Sequence, residues 1–485
     1  MKRKKSNAQL APLVSQHGTP RTRRDFIGQG IISMTATMAA PSILSLVGQN
    51  AYGCEAPKAS GMMPFICIDL GGGANLAGAN VIVGADGGQK NFLAAGSYAS
   101  LGLSGGIEPG QVSLNEEFGL AFHPESRVLQ GMLAATAPAT RAKVDGGVFC
   151  TISGDDTGNN PHNPMYWLAK AGLSGEVVSL IGTSDNISGG RAAAPNASIN
   201  PLYMPSRIGS NRDAINLVSA GQLGDILGEK GVKKVLDATK MMSESALARH
   251  YKKSYGEQFK DIVGCAYANS EAQLTKYSPE MADPNQDEVA TGIFNLNNGD
   301  ENRAASVAKL ILDGMAGGGT ITLGGFDYHN NPRTTTDARD LNAGNIVGKI
   351  LEYASQKQKD LMIYVFTDGG ISCRASDENL DAASGRFNAS SDSGTRSCAF
   401  TLVHKAEGGR PPLANEGRQI GNFSNNGAVN SRANLISNSV ENLSKIIVAN
   451  YLALNGRLED LANVVGDDPF GAEIQKYLIY AGLVA

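Results

Sequence analysis

Acidic side chains stand at the ends of three apolar, strand-like runs. FICID ends at Asp69, LMIYVFTD ends at Asp368, and TITLGGFDYH brings Asp327 and His329. In open α/β sheets ligands bind at the carboxyl edge of the strands, so these four side chains are expected to meet there. Carboxylates together with an imidazole suit Zn²⁺ or Mn²⁺. The pattern predicts a divalent metal site, although each Asp alone is more simply explained as the cap of a helix or turn.

A second candidate set follows the apolar run GVFCTI. His162 precedes a proline that favours a helix start, so its imidazole is expected either to contact substrate or to cap that helix. Thr151, Ser153 and Thr157 are the candidate hydroxyl nucleophiles of this segment. None has an adjacent base in the sequence, and such a hydroxyl needs activation by a base or a metal. His123, in GLAFHPES, is expected to be structural.

Several function classes lack their sequence signals. The glycine-rich segment LGGGANLAGAN does not fit the dinucleotide pattern G-x-G-x-x-G, and the chain contains no P-loop pattern. The net charge is −4 and the pI is about 5.9, so no overall basic field attracts nucleic acid. A dehydrogenase or a nucleic-acid-binding protein is therefore disfavoured.

Apolar runs alternate with segments of helical periodicity. Strands are predicted at 64–70, 80–84, 146–152, 176–182, 320–325, 361–367 and 399–404, and helices at 124–135, 164–171, 213–227, 232–252, 257–276, 303–315, 337–356 and 433–455. This alternation predicts an α/β fold, a three-layer α/β/α sandwich with a mostly parallel sheet. The helices at about 210–280 are expected to form an insertion.

The amino terminus has the features of a twin-arginine export signal. A basic segment, MKRKK, is followed by Arg23 and Arg24 in TRRDFI and then by a weakly apolar stretch rich in small residues. We therefore expect residues 1–53 to be signal and linker, residues 54–485 to form the exported domain, and the twin-arginine translocation machinery to be a partner. No second apolar run of ~18 residues follows, so no stable transmembrane span is expected in the mature, periplasmic form. Lipid anchoring at Cys54, in AYGC, is disfavoured because the usual Leu is absent.

The six cysteines fit no zinc-binding spacing. Cys67 and Cys150 lie in apolar, strand-like runs and are expected to be buried thiols. Cys373 and Cys398 flank a polar loop, and a disulfide between them is a hypothesis for an oxidising periplasm.

Several segments together resemble a known family. DLGGGANLAG, FGLAFHP, NPHNPMYWLAKAG, LGGFDYH and VFTDGG follow the TRRDF signal, in an order similar to that of the exported bacterial family named domain of unknown function 1501. The resemblance covers residues from about 20 to 430. It implies a core similar to sulfatases and alkaline phosphatases, with metals held by Asp and His at strand ends. On this basis it supports Asp327, His329 and His162, whereas Asp69 and Asp368 match less closely.

The sequence also departs from that superfamily. Asp368-Gly369 stands where relatives have Asp-His, and Arg396-Ser397 stands where a second Asp-His pair is expected. A cation at Arg396 would repel a second metal at short range. His404, one strand further on, could replace the missing imidazole only if its loop folds back.

Two functions follow from these observations. The first is a periplasmic, metal-dependent hydrolase of phosphate or sulfate esters with a degenerate metal site, in which His162 and Arg374 contact an oxyanion. The alternative is a non-catalytic protein on the same scaffold that binds a partner in the cell envelope.

Overall fold

The fold is built on a sheet of eight strands with helices on both faces. The computed structural model describes residues 60–153, 162–184, 205–219, 222–250, 255–329 and 332–482. The predicted export signal, Cys54 and Thr157 lie outside the described residues.

The strands are, in chain order, β1 (Phe65–Gly71), β2 (Val144–Cys150), β3 (Val178–Gly182), β4 (Ser206–Arg207), β5 (Ala316–Gly324), β6 (Leu361–Thr367), β7 (Ile371–Cys373), β8 (Leu380–Asp381), β9 (Arg386–Phe387), β10 (Ala389–Asp392), β11 (Cys398–His404), β12 (Gln419–Ile420), β13 (Phe423–Ser424) and β14 (Ala428–Val429). The main sheet has the order β12-β2-β11-β6-β1-β5-β3-β4. Within the described residues, β11 alone runs antiparallel to its neighbours in this sheet, β2 and β6. The predicted α/β class and mostly parallel sheet are therefore confirmed.

The helices are α1 (Arg127–Ala135), α2 (Pro138–Arg141), α3 (Met165–Lys170), α4 (Asn211–Val218), α5 (Gln222–His250), α6 (Tyr255–Lys276), α7 (Pro279–Ala282), α8 (Glu288–Ile293), α9 (Gly299–Leu312), α10 (Arg333–Gln356), α11 (Val440–Leu454) and α12 (Leu461–Val465). Short 3₁₀ segments lie at Ser97–Leu101, Pro284–Gln286, Asp377–Asn379, Leu458–Asp460 and Gly471–Tyr477. Most long predicted helices are present, but several ends differ from the prediction. Helix α4 ends at Val218 and not at 227, α5 begins at Gln222 and not at 232, and α11 begins at Val440 and not at 433.

The two faces of the sheet are covered by separate apolar cores. Along β1, Ile66 and Ile68 belong to the core that includes helices α1, α9 and α10, whereas Phe65 and Cys67 belong to the core that includes α3 and α11. This alternation follows from the two-residue period of a strand. A strand buried on both faces reads as a continuous apolar run, and this explains why FICIDL was recognisable in the sequence.

The strand predicted at residues 80–84 does not form, although its apolar residues are buried. Val81 makes only isolated bridges to Ala77 and Phe122. The Asn80 side chain donates to the Asn75 carbonyl at 2.8 Å and thereby holds a tight turn. The run is therefore a buried loop, because an apolar sequence specifies burial without specifying a pairing partner.

Helices α4 to α7 occupy the segment predicted as a helical insertion. Helices α5 and α6 pack as an antiparallel pair, with Lys233 and Glu271 in an ion pair of 2.5 Å and the hydroxyls of Ser243 and Tyr267 3.0 Å apart. Gly228 interrupts α5 with non-helical backbone angles. Among the described residues, no helix has the length and apolar character that a membrane crossing requires.

The hypothesis of a Cys373–Cys398 disulfide is wrong for this structure. Both are free, buried thiols, as are Cys67 and Cys150. Cys398 lies in β11 opposite Cys150 of β2, whereas Cys373 ends β7 in the separate β7–β10 ribbon. The polar loop does not bring its two flanking cysteines into a bond.

A buried carboxyl group connects helix α10 to the loop after β5. Asp340 is fully buried, and it accepts hydrogen bonds from Tyr328 Oη at 2.7 Å and from Asn80 Nδ2 at 2.9 Å. Burial raises the pKa of Asp340 to about 6, because the charged form loses its hydration. Tyr328 lies between Asp327 and His329, so this contact anchors the loop that carries both.

Asp340→Asn tests the energetic cost of this buried carboxylate. Its pKa is raised on folding, so its stabilising contribution is complete below the unfolded pKa of ~4 and is lost as pH rises through about 6. The wild type should therefore lose about 3 kcal/mol relative to Asp340→Asn between pH 4 and pH 7. Urea unfolding of both proteins across this range measures the difference. The exposed Asp377→Asn should follow the wild type, and parallel pH profiles for all three would contradict the assignment.

Candidate functional site

A cleft of about 200 Å³ opens at the carboxyl edge of the central strands. It is lined by Gly72, Gly73, Ser153, Asp327, Asp368, Gly369, Gly370, Asp392, Ser393 and Gly394. Most of these residues follow β1, β2, β5 or β6. The segment from Asp392 to Gly394 precedes β11, and because β11 runs the other way, its start lies at the same edge. The topology therefore brings five chain segments to one cleft.

A tight crossing at Gly72 holds the floor of this cleft together. The Asp368 main-chain N–H donates to the Gly72 carbonyl at 3.0 Å, the Gly72 N–H donates to Asp368 Oδ2 at 3.3 Å, and the Phe326 N–H donates to the Gly71 carbonyl at 3.1 Å. Gly72 has a φ of 121°, and a Cβ there would lie within 3.0 Å of the main-chain nitrogen of Asp327. Only glycine permits this approach of three strand ends.

Asp327, His329 and Asp392 form an exposed cluster at this edge of the sheet. His329 Nδ1 contacts an Asp327 carboxylate oxygen directly and lies 3.5 Å from Asp392 Oδ2. One potential ligand atom from each residue lies within 4.8 Å of the others. The hydrogen bond and charge of Asp327, with the charge of Asp392, raise the pKa of His329. Two carboxylates and an imidazole are a donor set that fits a zinc or manganese ion.

The other two predicted ligands occupy different environments. Asp368 is buried and lines the cleft, and one of its oxygens accepts the Gly72 amide. Asp69 is fully buried within β1, where its Oδ2 accepts a hydrogen bond from Thr322 Oγ1 at 3.3 Å. Asp69 is not among the residues that line the cleft. The structure thus brings Asp327 and His329 together, places Asp368 beside them and keeps Asp69 inside the sheet.

Sequence reasoning did not select Asp392. It lies within the polar segment between Cys373 and Cys398 and does not follow an apolar run. The antiparallel pairing of β7 with β10 sets Asp392 opposite Ile371, three residues after Asp368, and so returns it to the cleft. Its nearness to Asp327 and His329 depends on this ribbon, which neither hydrophobic periodicity nor a known motif indicates.

Ser153 and His162 are in direct contact at the end of β2. Ser153 Oγ lies 2.7 Å from His162 Nε2 and 2.6 Å from the Asp368 carbonyl oxygen. Asn163, next to His162, accepts the Met165 amide with its Oδ1 at 3.0 Å. Ser153 therefore has an imidazole within hydrogen-bonding distance, although no candidate base is adjacent to it in the sequence.

Arg374 follows β7, Arg396 follows β10, and neither is among the residues that line the cleft. Arg374 lines a separate, wider groove with Ser376 and Asn388, and its main-chain N–H donates to Ser390 Oγ at 3.0 Å. Arg396 is half-buried behind the cleft, and its Nη1 donates to Ser393 Oγ at 3.2 Å. Arg374 therefore does not line the cleft that contains Asp368.

Two further histidines have structural surroundings. His123 is buried, with Nε2 2.7 Å from the Ile107 carbonyl oxygen and Nδ1 accepting the Glu125 amide. His404 ends β11, where it pairs with Leu361 at the start of β6. It lies at the amino edge of the parallel strands and therefore cannot replace a ligand at the carboxyl edge. Burial lowers the pKa of both imidazoles.

Comparison with known proteins adds no family assignment to this geometry. No protein-family model, no curated protein and no solved structure matches the chain.

Gly72→Ala tests whether the close crossing organises the cleft. The new Cβ would collide with main-chain atoms of Phe326 and Asp327 at a φ that disfavours side chains, so we expect a loss of at least about 2 kcal/mol in the free energy of unfolding. Gly324→Ala is the matched control, because a Cβ there meets nothing within 4 Å. Chemical denaturation measures both, and equal stabilities for the two variants would refute the constraint.

Proposed function

We propose that this protein is an exported, metal-dependent hydrolase of phosphate or sulfate esters on an alkaline-phosphatase-like scaffold. The observation that carries the proposal is the cluster of Asp327, His329 and Asp392, with ligand atoms within 4.8 Å of one another. Asp327 and Asp392 line the same cleft as the buried Asp368. A cation held by this cluster would polarise the ester and stabilise negative charge on its oxygens.

The negative charge of the cleft requires a cation if the substrate is an anionic phosphate or sulfate ester. Asp327, Asp368 and Asp392 all line a cleft of about 200 Å³. Without a counter-charge, these carboxylates repel an anionic phosphate or sulfate at short range. A divalent ion at the cluster removes much of that repulsion and gives the anion a binding partner.

The export signal and the family resemblance support the location and the reaction class. Arg23 and Arg24 with the weakly apolar stretch favour twin-arginine translocation, which delivers folded proteins to the periplasm. The resemblance to the exported family named domain of unknown function 1501 favours a core similar to sulfatases and alkaline phosphatases. The mixed α/β sheet with acidic residues at its carboxyl edge agrees with such a core.

A non-catalytic envelope-binding protein is the second candidate. Gly369 follows Asp368 where the superfamily has a histidine, and Arg396 supplies a cation behind the cleft that hydrogen-bonds the lining residue Ser393. These features favour a site that has lost a second metal. A reproducible periplasmic partner, recovered with a protein that neither binds a metal nor hydrolyses esters, would support this function.

Elemental analysis of the purified, exported chain tests the proposed cation. We expect about one zinc or manganese ion per chain, because one compact donor set is present. Asp392→Asn and His329→Gln should each weaken binding at least about tenfold, since each removes a ligand. Titration with Zn²⁺ and Mn²⁺ after chelation measures these affinities.

The exposed Asp377→Asn, outside the cluster, is the matched control and should bind like the wild type. Hydrolysis of aryl phosphates and aryl sulfates by the metal-loaded chain tests the reaction. A folded chain with neither bound metal nor hydrolysis of either ester would overturn the proposal.

A further inference from the structure

We infer that Ser153 is a nucleophile and that His162 is its general base. The two are nine residues apart in the sequence, and Ser153 Oγ lies 2.7 Å from His162 Nε2. This distance is within the range required for proton transfer between a nucleophile and its base. Ser153 lines the cleft together with Asp327, Asp368 and Asp392.

The surroundings of His162 fix its ring against the serine. The imidazole stacks on the Phe366 ring of β6, with centroids 5.9 Å apart and planes within 4° of parallel. The next residue, Asn163, donates from Nδ2 to Thr320 Oγ1 at 3.0 Å and accepts the Met165 amide with its Oδ1. The Phe366 ring therefore contacts the imidazole directly, and the Asn163 contacts hold the adjoining main chain. A base held in this way loses little entropy when it accepts a proton.

Ser153 is held by main-chain contacts on two sides of the cleft. Its N–H donates to the Gly394 carbonyl at 2.7 Å, and its Oγ lies 2.6 Å from the Asp368 carbonyl. The hydroxyl carries a single hydrogen, which can point to this carbonyl or to His162 Nε2. Attack requires the second orientation with neutral Nε2 as the acceptor. The carbonyl then holds the hydroxyl in place when no substrate is bound.

The proposed step transfers the acid portion of an ester to the serine. Ser153 Oγ attacks the central phosphorus or sulfur, its proton passes to His162 Nε2, and the bond to the leaving oxygen breaks. The protonated His162 gives this proton to the departing alcohol. A water molecule, deprotonated by His162, then cleaves the new Oγ bond and restores the hydroxyl, so the whole sequence consumes one water per ester.

This inference deepens the proposed hydrolase and relies on it only for the class of substrate. The cation cluster and the Ser153–His162 pair share no residue. A buried serine can also hydrogen-bond a histidine for purely structural reasons, and reactivity separates the two cases because only an activated hydroxyl attacks a phosphorus electrophile readily.

Covalent labelling tests the nucleophile directly. The full exported chain is treated with an alkyl fluorophosphonate, once after chelation and once loaded with Zn²⁺, and the modified residue is located by peptide mass spectrometry. We expect one adduct at Ser153, formed by loss of fluoride, and none in Ser153→Ala. His162→Gln should label at least about a hundredfold more slowly, because its amide cannot accept the proton.

Controls make each outcome decisive. Ser376→Ala, in the separate groove of Arg374, should be labelled at Ser153 at the wild-type rate. Circular dichroism verifies the fold of each variant, and His162→Asn replaces His162→Gln if the latter does not fold. A folded wild type that is unlabelled at Ser153 in both arms overturns the inference, as does wild-type labelling in a folded His162 variant. If Ser153 is labelled but the chain binds no metal, only the cation proposal is contradicted. If the chain binds metal but Ser153 is not labelled, only the nucleophilic role of Ser153 is contradicted.

Discussion

The site depends on the crossing of three strand ends at Gly72. The ends of β1, β5 and β6 approach so closely that main-chain hydrogen bonds join Gly71 to Phe326 and Gly72 to Asp368. A side chain at position 72 would separate these segments. Asp327 and Asp368 are each within one residue of these hydrogen bonds. The bonds therefore fix the main-chain positions from which the two carboxylate side chains extend. The acidic cleft therefore follows from the close packing of main-chain segments at the ends of β1, β5 and β6.

A second layer of contacts supports the exposed cluster from inside the protein. Tyr328 points into the core and binds the fully buried Asp340 of α10, while its neighbours Asp327 and His329 remain exposed. A buried carboxyl with a raised pKa is costly, and a hydrogen bond from a buried tyrosine reduces that cost. The loop is thus anchored at its middle residue, so the two potential ligands on either side keep a constant separation.

The sequence predicted the parts of the fold that depend on local pattern. Runs such as LMIYVFT and FICIDL were recognisable because strands buried on both faces are continuously apolar, and Asp327, His329 and Asp368 were found from their positions at strand ends. Asp392 was missed because its position depends on the β7–β10 pairing. His404 was weighed as a ligand because the sequence does not reveal that β11 runs antiparallel. The contact between Ser153 and His162 was not recognised, because the amino-acid sequence between the two residues carries no hydrophobic periodicity.

Charge links the cluster to the rest of the cleft. The hydrogen bond to Asp327 and the negative charges of Asp327 and Asp392 raise the pKa of His329, because they favour the protonated imidazole. A divalent ion at the cluster would compete with a proton for the imidazole nitrogen. Asp368 lines the same cleft, and its main-chain carbonyl oxygen lies 2.6 Å from Ser153 Oγ. If a cation at the cluster bound the charged oxygens of an anionic ester, the Asp368 carboxylate would repel any such oxygen that pointed toward Ser153. This repulsion would favour the orientation in which the central atom of the ester faces the serine.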